Sequence, residues 1–492
     1  MTLDARRWAV LAILVVASPW IARFYAQNAR LGIVPETIAG GVAAYAMVDA
    51  GTLDVGEYFP PNALGPGLRY GVRRDATGAY SIEPVASSLT FAPFFLPWRG
   101  LPPASVHGRW DLFSIVAARV ATLTLLVLAL WLLQITTVPR ALAVTAIIAV
   151  ATPFRTINGG GLWLHTSAAL WAVTGLALWS ATDRRPGLYP LAGAALALAT
   201  ACRPTFVPAA LLVAWAALRD RRRPAAGPAT ALLVVAIGGL ALFGNWWLHG
   251  SLLGGRAPLI AHIARSHAVP SFVHFSPWTW AALLAAPSRG LFVYSPVLLF
   301  GLPGLVRTLR RSLPSTERLM SLAGVLVFLL YGLVSTWWGG WVFGPRFMAD
   351  VLPFFALWLA RTPLPRRGRV PLAILFAVAL GWSVWVYELG VRTYPCGWDS
   401  SPISVDLAPE RLWRLRDTEL SRCWTILRER ALTPRYGTSP GRLGGVSNGA
   451  GPLGIPGNLE LSGGKKGGGG TLDRRSVTGV GSRSACDTFL AR

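Results

Sequence analysis

Apolar runs of roughly membrane-spanning length, separated by short arginine-bearing connections, occupy most of the sequence from residue 8 to residue 388. A helix that crosses a bilayer needs about 20 predominantly apolar residues. The candidates are 8–26, 112–134, 141–155, 163–181, 188–202, 204–218, 227–247, 289–306, 319–336, 347–361 and 370–388, about eleven in all. Composition agrees: 53% of residues are hydrophobic and only 14% charged, against the roughly 25% charged residues of a soluble globular protein. A water-soluble domain and a disordered chain are both excluded, and an all-α polytopic membrane protein is expected.

Charge sets the orientation. The net charge of +24 comes almost wholly from arginine, the only lysines being Lys465 and Lys466. The arginines fall in clusters between apolar runs and no RNA- or DNA-binding motif accompanies them, so nucleic acid is not the expected partner. With Arg6 and Arg7 placing the N-terminus inside, alternation puts 17 arginines in the cytoplasmic connections, among them Arg140, Arg307 and Arg361. The short connections opposite hold six: Arg155, Arg203, Arg256, Arg265, Arg289 and Arg346. This is the asymmetry of the positive-inside rule, and it puts the C-terminus outside. No small-x-small cleavage site follows the first run, so it is expected to remain as a span.

The resulting plan is a transmembrane domain over 1–390, with a long first external loop at about 27–111. That loop contains a helix-like stretch, 36–50, with Ile38, Val42 and Tyr45 on one face. Two further apolar stretches, 84–98 and 276–286, would break the alternation if they crossed; Pro and Trp at their edges suit the outer interface. Residues 391–435 form a small external segment. Residues 436–492 hold 16 glycines among 57 positions and little to bury, so a disordered tail is expected.

Polar groups beside spans are costly, which makes them candidates for function. They gather on the external side. Glu36 opens the loop helix in PETIAGGVAAYAMVDAGTLD, where an acid is also favoured by the helix dipole. The connection FRTINGGGLWLHTS supplies Asn158, Trp163 and His165, with glycines that permit tight turns near a ligand; His165 either faces that ligand or caps the next helix. Arg203 in RPTF, Arg289 in PSRGLFVYSP and Arg346 in WWGGWVFGPRFMAD lie outside. Each can snorkel, but three on one face suit an anionic head group, because the guanidinium fork matches phosphate oxygens.

Other chemistries are poorly supported. No GxSxG, HExxH, DxD or phosphate-binding GxGxxG is present in a defensible context. His262, His267 and His274 are scattered rather than spaced for a metal. The cysteines show no zinc-ligand spacing; Cys396 and Cys423 either bridge, if their region faces an oxidising compartment, or stay unpaired.

Taken in order, these strings resemble a known family. PETIAGGVAAYAMVDAGTLD, SIEPVASSLTFAPFF, GGGLWLHTSA, ACRPTF, GNWWLHGSLLGG, APSRGLFVYSPV and WWGGWVFGPRFMADVLPFF follow one another between residues 35 and 355, within a resemblance that covers about 1 to 425. The sequence is similar to polyprenol-phosphate-sugar-dependent membrane glycosyltransferases of the GT-C fold, near the bacterial protein mannosyltransferases and aminoarabinose transferases. The resemblance implies a GT-C-like bundle in the bacterial inner membrane and an acid at the start of a juxtamembrane helix acting as base. That position is Glu36, where Asp is usual. Glu-Pro-Val at 83–85 also departs from the family's Tyr-Pro-Pro-like run, and nothing in the family resembles the tail.

The implied reaction moves a sugar from a polyprenyl-phosphate donor to a glycan, lipid or protein acceptor, with inversion. Glu36 takes the acceptor proton; Arg203, Arg289 and Arg346, with His165 and Asn158, bind the lipid phosphate. No cofactor is required by the residues, and a divalent cation is compatible with them. Competing readings are a lipid-linked sugar translocator or scaffold and a glycan ligase. A translocator should show broken helices paired between two halves, and no such pairing is evident.

Overall fold

A computed structural model describes residues 4–27, 31, 34–59, 71–75, 77–252, 254–255, 273, 275–310, 316–363 and 370–432. The expected tail at 436–492, and His262, His267 and His274, lie outside these residues. Among the described residues the chain is mostly helical, with one antiparallel hairpin that pairs Val72–Asp75 with Gly78–Ser81.

Four helices are long and apolar enough to cross a membrane: Ala5–Tyr25, Trp110–Ile135, Ala226–His249 and Val370–Thr393. The other expected spans are shorter, less apolar or broken helices: Val138–Val150, Leu164–Ala181, Tyr189–Cys202, Val207–Arg219, Thr316–Tyr331 and Leu352–Arg361. By length and apolarity, then, the described helices supply four of the eleven expected spans. The stretch 289–306, expected as one span, is divided into Leu291–Tyr294, a 3-10 turn at Pro296–Gly301 and Leu302–Leu309. Pro296 and Pro303 account for the break, since proline donates no backbone hydrogen bond and clashes with the preceding turn. The loop helix expected at 36–50 is Pro35–Asp49.

Trp110–Ile135 is the central helix, with 67% of its apolar window buried. The first helix packs on one side of it and Leu164–Ala181 on another; Tyr189–Cys202 continues the layer to Ala226–His249 and Val207–Arg219. Thr316–Tyr331 joins Val207–Arg219 to Leu352–Arg361. Glycines let this layer close. A Cβ on Gly175 would come within 2.6 Å of Leu196, and one on Gly193 within 2.5 Å of Thr230, so neither position accepts a larger residue. This is how membrane helices pack, where small residues bring backbones together. On the outside, Ala226–His249 buries only 17% of its window and presents Leu232, Val235, Leu240 and Trp247, the surface expected to meet lipid.

Polar residues collect at the two ends of the bundle. At one end Arg361 Nη1 donates to Ile135 O at 2.7 Å and its guanidinium pairs with Glu317, while Arg140 Nη1 donates to Ala360 O at 3.1 Å. At the other end Tyr25 packs edge-on to Phe154. There Arg155, fully buried, lies over the Phe24 ring at 3.7 Å, donates to Phe24 O and pairs with Glu388 at 3.5 Å. It thereby ties the first helix to Val370–Thr393.

Residues 394–432 fold back onto the bundle. Trp398, Val405, Leu412 and Leu420 share a core with Tyr294, Trp338, Phe343 and Tyr387. Cys396 and Cys423 are joined by a disulfide, with their Cα atoms 5.2 Å apart, within the usual range for such a bridge. It fastens the helix Glu419–Leu432 to the irregular chain that follows Val370–Thr393.

Candidate functional site

The connection 151–163 leads into Leu164–Ala181 through Trp163, whose extended backbone (φ −70°, ψ 153°) sets the helix start at Leu164. Asn158 fastens the turn: its Nδ2 donates to His165 O at 2.9 Å, and the Thr166 hydroxyl donates back to Gly161 O at 2.9 Å. The glycines, expected to make room for a ligand, instead admit the chain's own residues. A Cβ on Gly159 would strike the Tyr25 ring, and one on Gly160 would approach Leu31 to 2.9 Å.

His165 is fully buried inside the helix's first turn rather than capping it. Its Nδ1 lies 2.7 Å from Asp350 Oδ1, and its Nε2 accepts from Arg346 Nε at 3.3 Å. An arginine N–H can only donate, so Nε2 carries the lone pair and Nδ1 the proton. The ring is neutral, with its N–H aimed at Asp350.

Asp350 is the centre of the site, and the sequence reading passed over it as part of a span. Its Oδ2 accepts from Arg203 Nε at 2.8 Å, from the Thr205 hydroxyl at 3.0 Å and from the Tyr331 hydroxyl. Arg203 Nη2 also donates to Tyr331 at 2.6 Å. Four donors occupy a carboxylate that offers about four acceptor positions. Asp350 is therefore placed to hold its neighbours in register, not to take a proton. The signal for it was present: an acid within the apolar string FMADVLPFF is costly unless it has partners. Tyr331 and Thr205 carried no comparable signal.

Arg346 opens the short 3-10 helix Arg346–Val351, four residues before Asp350. Its guanidinium lies over the Trp163 ring at 4.2 Å, and its Nη1 donates to Gly339 O at 3.1 Å. Among the expected residues, the structure thus brings Arg203, Arg346, His165 and Asn158 together, at the end of the bundle that holds Tyr25 and Phe154.

Arg289 is placed differently. It is buried between two acids, with Nη2 2.5 Å from Asp399 Oδ1 and Nη1 3.1 Å from Glu419 Oε2. It also donates to the carbonyls of Gly340, Val342 and Gly344. Its expected role as a phosphate ligand is not supported, since both terminal nitrogens, the pair that would form a fork on a phosphate, are already engaged by the protein. Burial raises both carboxyls above their ordinary range, and the Arg289 charge draws each part of the way back.

Glu36 stands in the first turn of Pro35–Asp49, half-buried, and makes no hydrogen bond or ion pair among the described residues. Two contacts bracket it against the same connection: Leu31 against Gly160, and Gly41 against Leu162, where an added Cβ would come within 2.8 Å. One turn beyond Glu36, Gly40 faces the side chain of buried Glu83 and its carbonyl accepts from the Ser88 hydroxyl at 3.2 Å. No group of three His, Cys, Asp or Glu side chains that could hold a metal ion occurs among the described residues.

Compared with known proteins, the sequence matches no protein family, and none of the curated proteins matches it.

Proposed function

We propose that this chain is an integral membrane glycosyltransferase, moving a sugar from a polyprenyl-phosphate donor to an acceptor hydroxyl at the external face of a bacterial inner membrane. The observation that carries the reading is the meeting of two guanidinium groups, Arg203 and Arg346, around neutral His165, with the half-buried carboxylate-bearing residue Glu36 beside the same connection. A group that binds an anion and a proton acceptor are the two things that transfer from a lipid phosphate requires.

In this reading the donor phosphate rests against Arg346, which Trp163 and Gly339 hold in place. Arg203 is clamped by Asp350 and Tyr331 and adds its field from behind. The acceptor oxygen attacks the anomeric carbon, a new C–O bond forms, and the bond to the phosphate oxygen breaks with its electron pair. Glu36 receives the acceptor's proton. Fixed positive groups aimed at the departing phosphate stabilise the charge that develops there. No step is routed through a cation.

Orientation follows the arginines. The groups that meet around Arg361 and Arg140 belong to the connections assigned to the cytoplasm, so the site end is external and the C-terminus periplasmic. The Cys396–Cys423 bridge supports that side, because disulfides persist in oxidising compartments. The shorter helices would complete about eleven crossings.

The test is release of radiolabelled sugar from polyprenyl phosphate by the purified full chain in lipid nanodiscs, supplied with membrane-extracted acceptors. Wild type should discharge the donor and the Glu36→Gln variant should not. A wild-type protein that never discharges it overturns the proposal, and intact donor crossing a proteoliposome bilayer would favour translocation instead.

A further inference from the structure

The turn between residues 339 and 344 has an unusual construction. Gly339, Gly340 and Gly344 all adopt positive φ, at 78°, 74° and 77°, a backbone that side-chain-bearing residues rarely accept. Such a turn has little local reason to hold one shape. Its carbonyls at Gly340, Val342 and Gly344 all converge on the Arg289 guanidinium. The amide of Gly344 donates to Glu419 Oε2 at 2.9 Å, and the Tyr294 hydroxyl donates to the same oxygen at 2.8 Å.

One end of this turn belongs to the candidate site. Gly339 O accepts from Arg346 Nη1, and a Cβ on Gly339 would lie 3.3 Å from the Arg346 side chain. The other end, at Gly344, belongs to the C-terminal segment through Glu419, and the Trp338 indole just before the turn also donates to that segment, to Asp406 at 2.7 Å. Arg289 thus grips the turn from inside, and the segment 394–432 grips Arg289.

We infer that Arg289 is a positioning residue: together with Glu419 and Asp399 it locks the 339–344 turn and so sets where Arg346 stands for an anionic donor. It does not touch the donor. This deepens the transferase reading and rests on it for the donor's identity; the lock itself stands on the contacts above. Each acid anchors one terminal nitrogen of Arg289, Asp399 holding Nη2 and Glu419 holding Nη1. Lysine at 289 would keep the charge but lose the planar fork that reaches three carbonyls.

The experiment compares wild type, Arg289→Lys and Glu419→Gln, each as the full chain in lipid nanodiscs. Hydrogen exchange is read over 336–346, and donor KM and kcat are read separately. Both variants should exchange at least tenfold faster in the turn. In both, donor KM should rise about tenfold while kcat stays within twofold. Unchanged turn exchange in both variants overturns the lock, whatever the turnover. A loosened turn with unchanged donor KM overturns its link to Arg346. A wild type without turnover defeats the transferase reading, while the exchange data still decide the lock. Glu419→Gln preserves shape and volume, so it serves if the arginine variant fails to fold.

Discussion

The Nδ1 of His165 lies 2.7 Å from Oδ1 of Asp350, and this contact joins residues 185 positions apart in sequence. It fastens the first turn of one helix to the short 3-10 helix that precedes another. Because Arg203, Thr205 and Tyr331 use the second oxygen of the same carboxylate, a single side chain holds four others.

Replacing Asp350 by Asn should therefore cost stability as well as activity. A buried guanidinium deprived of its anion destabilises by about 3–5 kcal/mol. We expect Asp350→Asn to unfold at markedly lower temperature, by fluorescence-detected size exclusion, and to lose donor turnover. A variant with the wild-type unfolding temperature would show that Arg203 does not depend on this carboxylate.

Glu36 should behave in the opposite way. It stands half-buried in the first turn of its helix and makes no hydrogen bond or ion pair among the described residues. Glu36→Gln should insert, fold and melt like wild type while losing transfer by at least a hundredfold, the scale of a general base. Residual turnover near the wild-type rate would remove Glu36 from the role.

The Arg289 cluster predicts a pH dependence. Burial lifts the Asp399 and Glu419 carboxyls above their ordinary values, with Arg289 opposing. A group whose folded value is raised stabilises fully below its unfolded value, about 4 for a carboxyl. That contribution is lost as pH rises through the folded value. The carboxyls lie at about 6 for Asp399 and about 8 for Glu419, so thermal stability should decline between about pH 4 and about pH 8, and Glu419→Gln should flatten the upper part of the decline. A profile that instead rises over this range in wild type would contradict the raised values.

The disulfide joins cysteines 27 positions apart, for which chain entropy gives about 3.5 kcal/mol. Cys423→Ser should lower the unfolding temperature under non-reducing conditions, and wild type treated with dithiothreitol should approach the variant. Equal melting of the oxidised and reduced chains would deny the bridge a stabilising part.

Helix positions were readable because apolar runs and arginine connections reflect the cost of placing each group in or near lipid. Helix lengths were not, since Pro296 and Pro303 break a run whose apolarity is continuous. Arg203, Arg346, His165 and Asn158 were readable as polar groups beside apolar runs. Arg289 carries the same local signal, yet its acids lie 110 and 130 positions away, and only folding reveals that they consume its charge. Asp350 was overlooked because its surroundings look like lipid-crossing sequence; the acid itself was the clue. The hairpin at 72–81 was not anticipated, its strands being only four residues each and the first of them, VRRD, mostly charged.

Arg155 lies against Phe24 of the first helix and pairs with Glu388 of Val370–Thr393. During synthesis, most of the polypeptide must leave the ribosome before this guanidinium can meet its carboxylate. A nascent chain halted before residue 370 would carry Arg155 with its contacts to Phe24 and Gln27 but without its anion.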